Sequence, residues 1–356
     1  MRTTVYVSCA DDKRIVVLDM DQATGALREL SRTDVPGATG PSPGSLPLAL
    51  SPDRKWLYAA LRAEPFPVCS FAIDPTSGAL ELRGTAKLPD SMCYLSIDRT
   101  GTSLFSASYG GAVLGVSRIA DGIVGEVTQA LATPPKAHSV RPDPENRFAY
   151  AACLGGDVLL AQRFDGVRLD PTPHPAATTL AGAGPRHFAF AHGGRRLYLL
   201  NELDGTVNVY DRDLETGALR ERQSITILTE PATGNVAAAD IHLTPDGRFL
   251  YASERTTHIL AAFRVDAETG LLTLAGHAPS EPTPRGFAID SEGRFLLCAG
   301  LTSGKVATYA IDDASGLLRW MSAVEVGKGA NWIEMASQAT DDASFLVKSR
   351  LGPVGA

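Results

Sequence analysis

The sequence predicts an all-β protein: a seven-bladed β-propeller with four-stranded antiparallel blades, its ring closed by pairing of the N- and C-terminal strands. Three observations predict it. A strand with an aromatic or bulky apolar centre recurs at Tyr6, Tyr58, Phe105, Tyr150, Tyr198, Tyr251 and Leu297, roughly 45 to 53 residues apart. A polar turn such as Ser51-Pro52-Asp53-Arg54 or Thr244-Pro245-Asp246-Gly247 precedes most copies. No helical period of ten or more residues intervenes. Four short strands per unit of this length is a propeller blade, whereas a stacked β-solenoid would have shorter units.

Within each unit the elements follow in a fixed order. An inner strand comes first, then the polar turn, in which Pro presets φ and Asp or Gly tolerates the left-handed position. The aromatic strand follows, then a strand of the type Val207-Asn208-Val209-Tyr210. A second turn, Thr24-Gly25, Ser77-Gly78, Thr216-Gly217, Thr269-Gly270 or Ser315-Gly316, leads into the outer strand. The third and fourth units keep only Asp121-Gly122 and Asp165-Gly166 here. The first unit begins at its second strand, Val5-Tyr6-Val7, so its inner strand must come from Ala330-Asn331-Trp332-Ile333-Glu334-Met335. Residues 1–336 form the propeller on this reading. Residues 337–356 are a C-terminal extension in which Ser344-Phe345-Leu346-Val347 has the pattern of one more strand.

Composition narrows the function. With Lys+Arg 33 against Asp+Glu 40 the net charge is −7, which argues for solubility and against nucleic acid as a partner. No apolar run approaches the roughly 20 residues of a membrane span, and the N-terminus enters a strand without a signal-peptide core. A cytoplasmic monomer or weak homo-oligomer is expected. Cys9, Cys69, Cys93, Cys153 and Cys298 are odd in number, form no C-x-x-C pair and sit mostly in apolar strands, as buried free thiols do.

The blade plan leaves a set of polar residues over. Inner strands line the central channel, so Tyr94, His138, Arg186-His187, Asp240-Ile241-His242, Arg285 and Asn331-Trp332 converge on its mouth. The aromatic strands end at the same face and bring Arg62, Tyr109, Asn201-Glu202 and Glu254-Arg255. Arg186-His187 and Asn201-Glu202 are the two ends of one hairpin, which places them together. A single loop charge is usually just solvated, but this many at equivalent points of different blades describe a funnel. Neither a zinc-site spacing, nor H-E-x-x-H, nor a G-x-S-x-G elbow is present. A non-catalytic interaction propeller would carry its charges on the outer rim instead.

Gly182-Ala183-Gly184-Pro185-Arg186-His187, Asn201-Glu202-Leu203, Ala239-Asp240-Ile241-His242, Glu254-Arg255-Thr256 and Thr283-Pro284-Arg285-Gly286-Phe287 closely resemble motifs of the seven-bladed propeller lactonases, the family typified by bacterial 6-phosphogluconolactonase. The same fold includes carboxymuconate cyclase and lactonases for unphosphorylated sugar acids. The resemblance implies a hydrolase that opens a six-carbon sugar-acid 1,5-lactone, with 6-phosphogluconolactone the first choice and glucaro- or galactaro-1,5-lactone the second. It implies His138, Arg186, Glu202 and Arg285 as catalytic residues. Two departures stand out: Leu154-Gly155-Gly156-Asp157 where the family pattern offers a Lys, and Tyr109-Gly110-Gly111 where it has Asn. Arg62, Lys136 and Arg141 are then the expected phosphate donors.

Lactone hydrolysis needs an activated water, a stabilised oxyanion and a proton for the leaving ring oxygen. Glu202 or His138 serves as base on this reading, with Glu202 preferred. Arg186 and Arg285 offer forked donors to an oxyanion or carboxylate. His187, Asn201, Asp240, His242, Arg255, Arg62 and Arg141 bind substrate, and no metal or other cofactor is required.

Overall fold

The computed structural model describes residues 2–40, 44–191, 193–231 and 234–338. It contains seven four-stranded sheets, each antiparallel throughout, and one short 3-10 turn at Leu154–Gly156. We number the blades by their aromatic strands, from Tyr6 in blade 1 to Leu297 in blade 7. The inner strands are Leu48–Leu50, Met92–Ile97, Ala137–Pro142, Pro185–Phe190, Ala238–Leu243 and Pro284–Ile289 in blades 2 to 7. Blade 1 takes its inner strand from the other end of the chain: Ala330–Gln338 pairs antiparallel with Arg2–Cys9, with Tyr6 opposite Glu334. The ring is closed as expected, with four strands in blade 1 as in every other blade. The suggested strand at Ser344–Val347 lies outside the described residues.

The core is not central. Each buried cluster draws on two adjacent blades, as Val5, Val7, Val16 and Leu18 do with Leu297, Ala299 and Val306. Burying a side chain of this size is worth about 1.5–3 kcal/mol, so most of the apolar gain is spent between blades. The axis is left to polar residues.

The two sequence repeats prove to be partners across these interfaces. The phenol of Tyr6 donates to the carbonyl of Gly78 in the next blade at 3.0 Å. Tyr150, Tyr198 and Tyr251 do the same to Gly217, Gly270 and Gly316, at 2.7, 2.8 and 2.8 Å. These turn glycines hold φ near +70°, where a side chain is strained. Phe105, which has no hydroxyl, faces the blade whose turn is the reduced Asp165-Gly166. The five cysteines are free and buried. Among the described residues no helix is long and apolar enough to cross a membrane.

Candidate active site

In six of the seven inner strands the pairing slips by one residue near the strand start, and the slip falls where the candidate residues are. Opposite the aromatic strand, Met92 and Tyr94 have partners while Cys93 is the extra residue. The extra residue is His138 in blade 4, Arg186 in blade 5 and Arg285 in blade 7. Ala239 and Asp240 fall in the irregular step of blade 6, and Asn331 in that of blade 1. A β-bulge bends its strand and re-aims the extra side chain. Repeated around a ring, it points one residue per blade at the axis. The resulting pocket is lined by Ser45, Cys93, His138, Arg186, His187, Asp240, Arg285, Asn331 and Trp332. Gly286, just after the blade 7 bulge, has no room for a side chain: a Cβ there would lie 2.6 Å from the Asn331 carbonyl oxygen.

A chain of charged contacts crosses the pocket. Arg186 Nε lies 2.8 Å from Glu202 Oε2, and Arg255 Nη2 lies 2.9 Å from Glu202 Oε1. The Glu202 carboxylate is therefore held between two guanidiniums. Burial pushes its carboxyl up, but Arg186, Arg255 and Arg285 outweigh that and hold it below the ordinary value. Arg186 Nη1 also contacts His187 Nε2 at 3.1 Å and donates to the Ala239 carbonyl. On its other side His187 Nδ1 meets Asp240 Oδ1 at 2.8 Å. An Nδ1–H imidazole fits both contacts, donating to Asp240 and accepting from Arg186.

His138 and Arg285 also line the pocket. His138 is buried, and its Nδ1 has no hydrogen-bond partner among the described residues. Burial first, then the charge of Arg186, pushes the His138 imidazole well below its usual value, so it is neutral at neutral pH. Burial and Arg186 likewise pull His187 down to about 3. Arg285 lines the pocket, and burial with repulsion from Arg186 and Arg255 lowers it to about 9. It remains a cation at neutral pH, but one whose charge is poorly compensated. The rings of Tyr94, His187 and Trp332 pack against one another, with centroids 5.1, 5.3 and 6.1 Å apart, and His187 and Trp332 line the pocket.

The other expected residues fall into two sets. Arg62 reaches the rim, its Nε 3.2 Å from Ser91 Oγ and its Nη1 3.3 Å from Ser45 Oγ. Lys136 lies over the Tyr109 ring at 5.5 Å, and Tyr109 in turn packs against His138 at 5.7 Å. Asn201 is not in the pocket; its amide donates into its own blade, to Thr206 at 2.8 Å and Asn208 at 2.5 Å. Arg141 lies three residues down the blade 4 strand from His138, about 10 Å further along the channel, and donates to the Phe188 carbonyl at 3.1 Å. It does not join Arg62 and Lys136. Glu254 caps its own blade end through Ala237, Thr256 and Thr257. Ser45 and Cys93 were missed as pocket residues; for Cys93 the apolar strand pattern hid a bulge. Among the described residues no group of three or more His, Cys, Asp or Glu is disposed to hold a metal ion.

Residues 3–335 match the protein family described as Lactonase, 7-bladed beta-propeller. A 6-phosphogluconolactonase of Pectobacterium carotovorum subsp. carotovorum (strain PC1) is 41% identical over 339 residues, covering 94% of this chain and 99% of its own. One from Serratia proteamaculans (strain 568) is 39% identical over 341 residues, covering 95% and 100%. The structure of a Pseudomonas aeruginosa periplasmic gluconolactonase superposes with a TM-score of 0.84 at 27% identity, covering 95% of this chain and 100% of that one.

Proposed function

We propose that this chain, which belongs to the seven-bladed β-propeller lactonase family and is a lactone-hydrolysing enzyme, acts on 6-phosphogluconolactone. The observation that carries the mechanism is the pairing in one pocket of a neutral His138, whose Nδ1 has no hydrogen-bond partner among the described residues, with an under-compensated Arg285. A water bound between His138 and the lactone carbonyl gives a proton to the His138 imidazole as its oxygen attacks C1. The developing oxyanion is met by the Arg285 guanidinium, a charge-assisted donor already in place. When the tetrahedral intermediate collapses, the bond from C1 to the ring oxygen breaks. The ring oxygen takes the proton back from His138 and becomes a hydroxyl. The new carboxylic acid ionises beside the arginines.

This assigns the base to His138 rather than Glu202. Both Glu202 oxygens are engaged by guanidiniums, and a carboxylate held below its ordinary value is a weak base. Glu202 instead fixes Arg186 and Arg255. His187 is an equally poor base, because both its nitrogens are already occupied.

The phosphorylated substrate is favoured by the charge of the mouth. Arg62 and Lys136 flank blade 3 at the rim, and Arg62, Arg186 and Arg285 act together on the buried Cys93 thiol. A dianion placed there gains more than a neutral sugar does. The test is a hydrolysis panel of 6-phosphogluconolactone, gluconolactone and glucaro- and galactarolactone. The phosphorylated lactone should give the highest kcat/KM; preference for an unphosphorylated one would overturn the substrate assignment while leaving the lactonase chemistry in place.

A further inference from the structure

Asp240 lines the pocket and is contacted by two histidines, of which only His187 lines it as well. Its Oδ1 accepts from His187 Nδ1 at 2.8 Å and from the Ile241 amide at 3.0 Å. Its Oδ2 meets His242 Nε2 at 3.1 Å and accepts from the Phe287 amide at 3.2 Å. His242 is not part of the pocket lining. It lies two residues beyond Asp240, about 7 Å further down the strand. Its side chain is 37% exposed and its ring packs on Phe287 at 4.8 Å.

We propose that His242 is a positioning residue, which acts through Asp240 and His187 to fix the Arg186 guanidinium. The order of contacts is His242, Asp240, His187, Arg186, Glu202, Arg255, each within 3.1 Å of the next. A literal proton relay along this line is disfavoured. The four donors around Asp240 occupy its acceptor positions, and a carboxylate so satisfied stays ionised. What it does instead is clamp two imidazoles at once. The His187 ring is thereby held in the tautomer that accepts from Arg186, in the way a buried carboxylate orients an imidazole in hydrolytic triads. His242, expected from the sequence to contact substrate, has a different task at the same site on this proposal.

The inference rests on the proposed role of the pocket arginines, and the test separates the two. His242→Phe keeps the ring packing on Phe287 and removes the donor, while His242→Gln restores a donor. The expected result for His242→Phe is a kcat loss of about 10-fold, within the roughly 10²-fold that a misplacement of about 1 Å costs, with KM unchanged. His242→Gln should recover most of it. The downfield Nδ1–H signal of His187 should move in His242→Phe and return in His242→Gln. A loss confined to KM would make His242 a substrate contact and overturn the proposal. So would full kcat with an unmoved signal, or a Gln variant as impaired as the Phe one. If His242→Phe does not fold, His242→Ala is judged on the same three readouts. Failure of the pocket reading itself would show differently, as an active Arg285→Met enzyme.

Discussion

Arg186 at the pocket and Arg212 between blades 4 and 5 are both withdrawn from solvent, with side-chain exposures of 2% and 0%. Their surroundings differ in sign. Arg212 Nη2 lies 3.1 Å from Asp143 Oδ2 and also pairs with Glu145, both in the turn of the neighbouring blade. Its guanidinium carbon lies 5.4 Å from the Phe190 ring centre and 6.0 Å from that of Tyr150. One cation there has two carboxylates. At the pocket Arg186, Arg255 and Arg285 share Glu202, since Asp240 is committed to two histidines. A buried cation with surplus anions ties two blades together. A cluster with surplus cations suits an anion, such as the oxyanion of the proposed reaction.

The sharpest way to break this comparison is to remove the two kinds of arginine in turn. Arg212→Met should cost about 3–5 kcal/mol of stability, because Asp143 is left buried without its partner. Activity per folded molecule should be unchanged, and denaturant unfolding alongside kcat/KM reads both. An activity loss without a stability loss would mean that Arg212 had been placed in the wrong class.

Arg285→Met should do the reverse. Losing an oxyanion donor costs about 2.7–4 kcal/mol in the transition state, some 10²–10³-fold in kcat. The melting temperature should hold or rise, since a cation has been taken from among like charges. A variant that is both active and less stable would show that Arg285 belongs to the scaffold.

The pocket histidines sharpen the comparison through pH. His187 sits at about 3 in the folded protein, far below the 6.5 of a free imidazole. Between those values the unfolded chain binds the extra proton, so stability is fully present above pH 6.5 and falls as pH drops below it. At pH 5 the loss from His187 is about 2 kcal/mol. His138 is lowered by the same causes, so His138→Gln should flatten the fall. The acid limb of kcat/KM should likewise lie below pH 6.5, because the base stays neutral there. A limb at or above 6.5 would exclude His138 as that base.

The smallest effect belongs to the rim. If Arg62 helps hold the phosphate, inorganic phosphate should inhibit competitively, and Arg62→Ala should weaken that inhibition by about 1 kcal/mol, roughly fivefold. Unchanged inhibition would leave Lys136 to account for the charge at that end.

Much of this was legible in the chain itself. The spacing of Tyr6, Tyr58, Phe105, Tyr150, Tyr198, Tyr251 and Leu297 determined seven blades. The missing strand before Val5 and the spare one at Ala330–Met335 determined how the ring closes. Periodicity also named His138, Arg186, Asp240, Arg285 and Asn331 as one set, because equivalent positions in a closed ring share one axis. Only the tertiary structure decided which side chains enter the pocket. Strand side chains alternate between faces, so one extra residue reverses which way its neighbours point, and the sequence does not mark where that residue is inserted. The bulge brought Cys93 to the pocket from an apolar strand pattern, while Asn201 turned into its blade and Arg141 turned to the Phe188 carbonyl. The proposed protonation roles rest on tertiary contacts too. Glu202 and His138 were both candidates for the base as residue types, and the two guanidiniums around Glu202 are what favours His138 in the proposal.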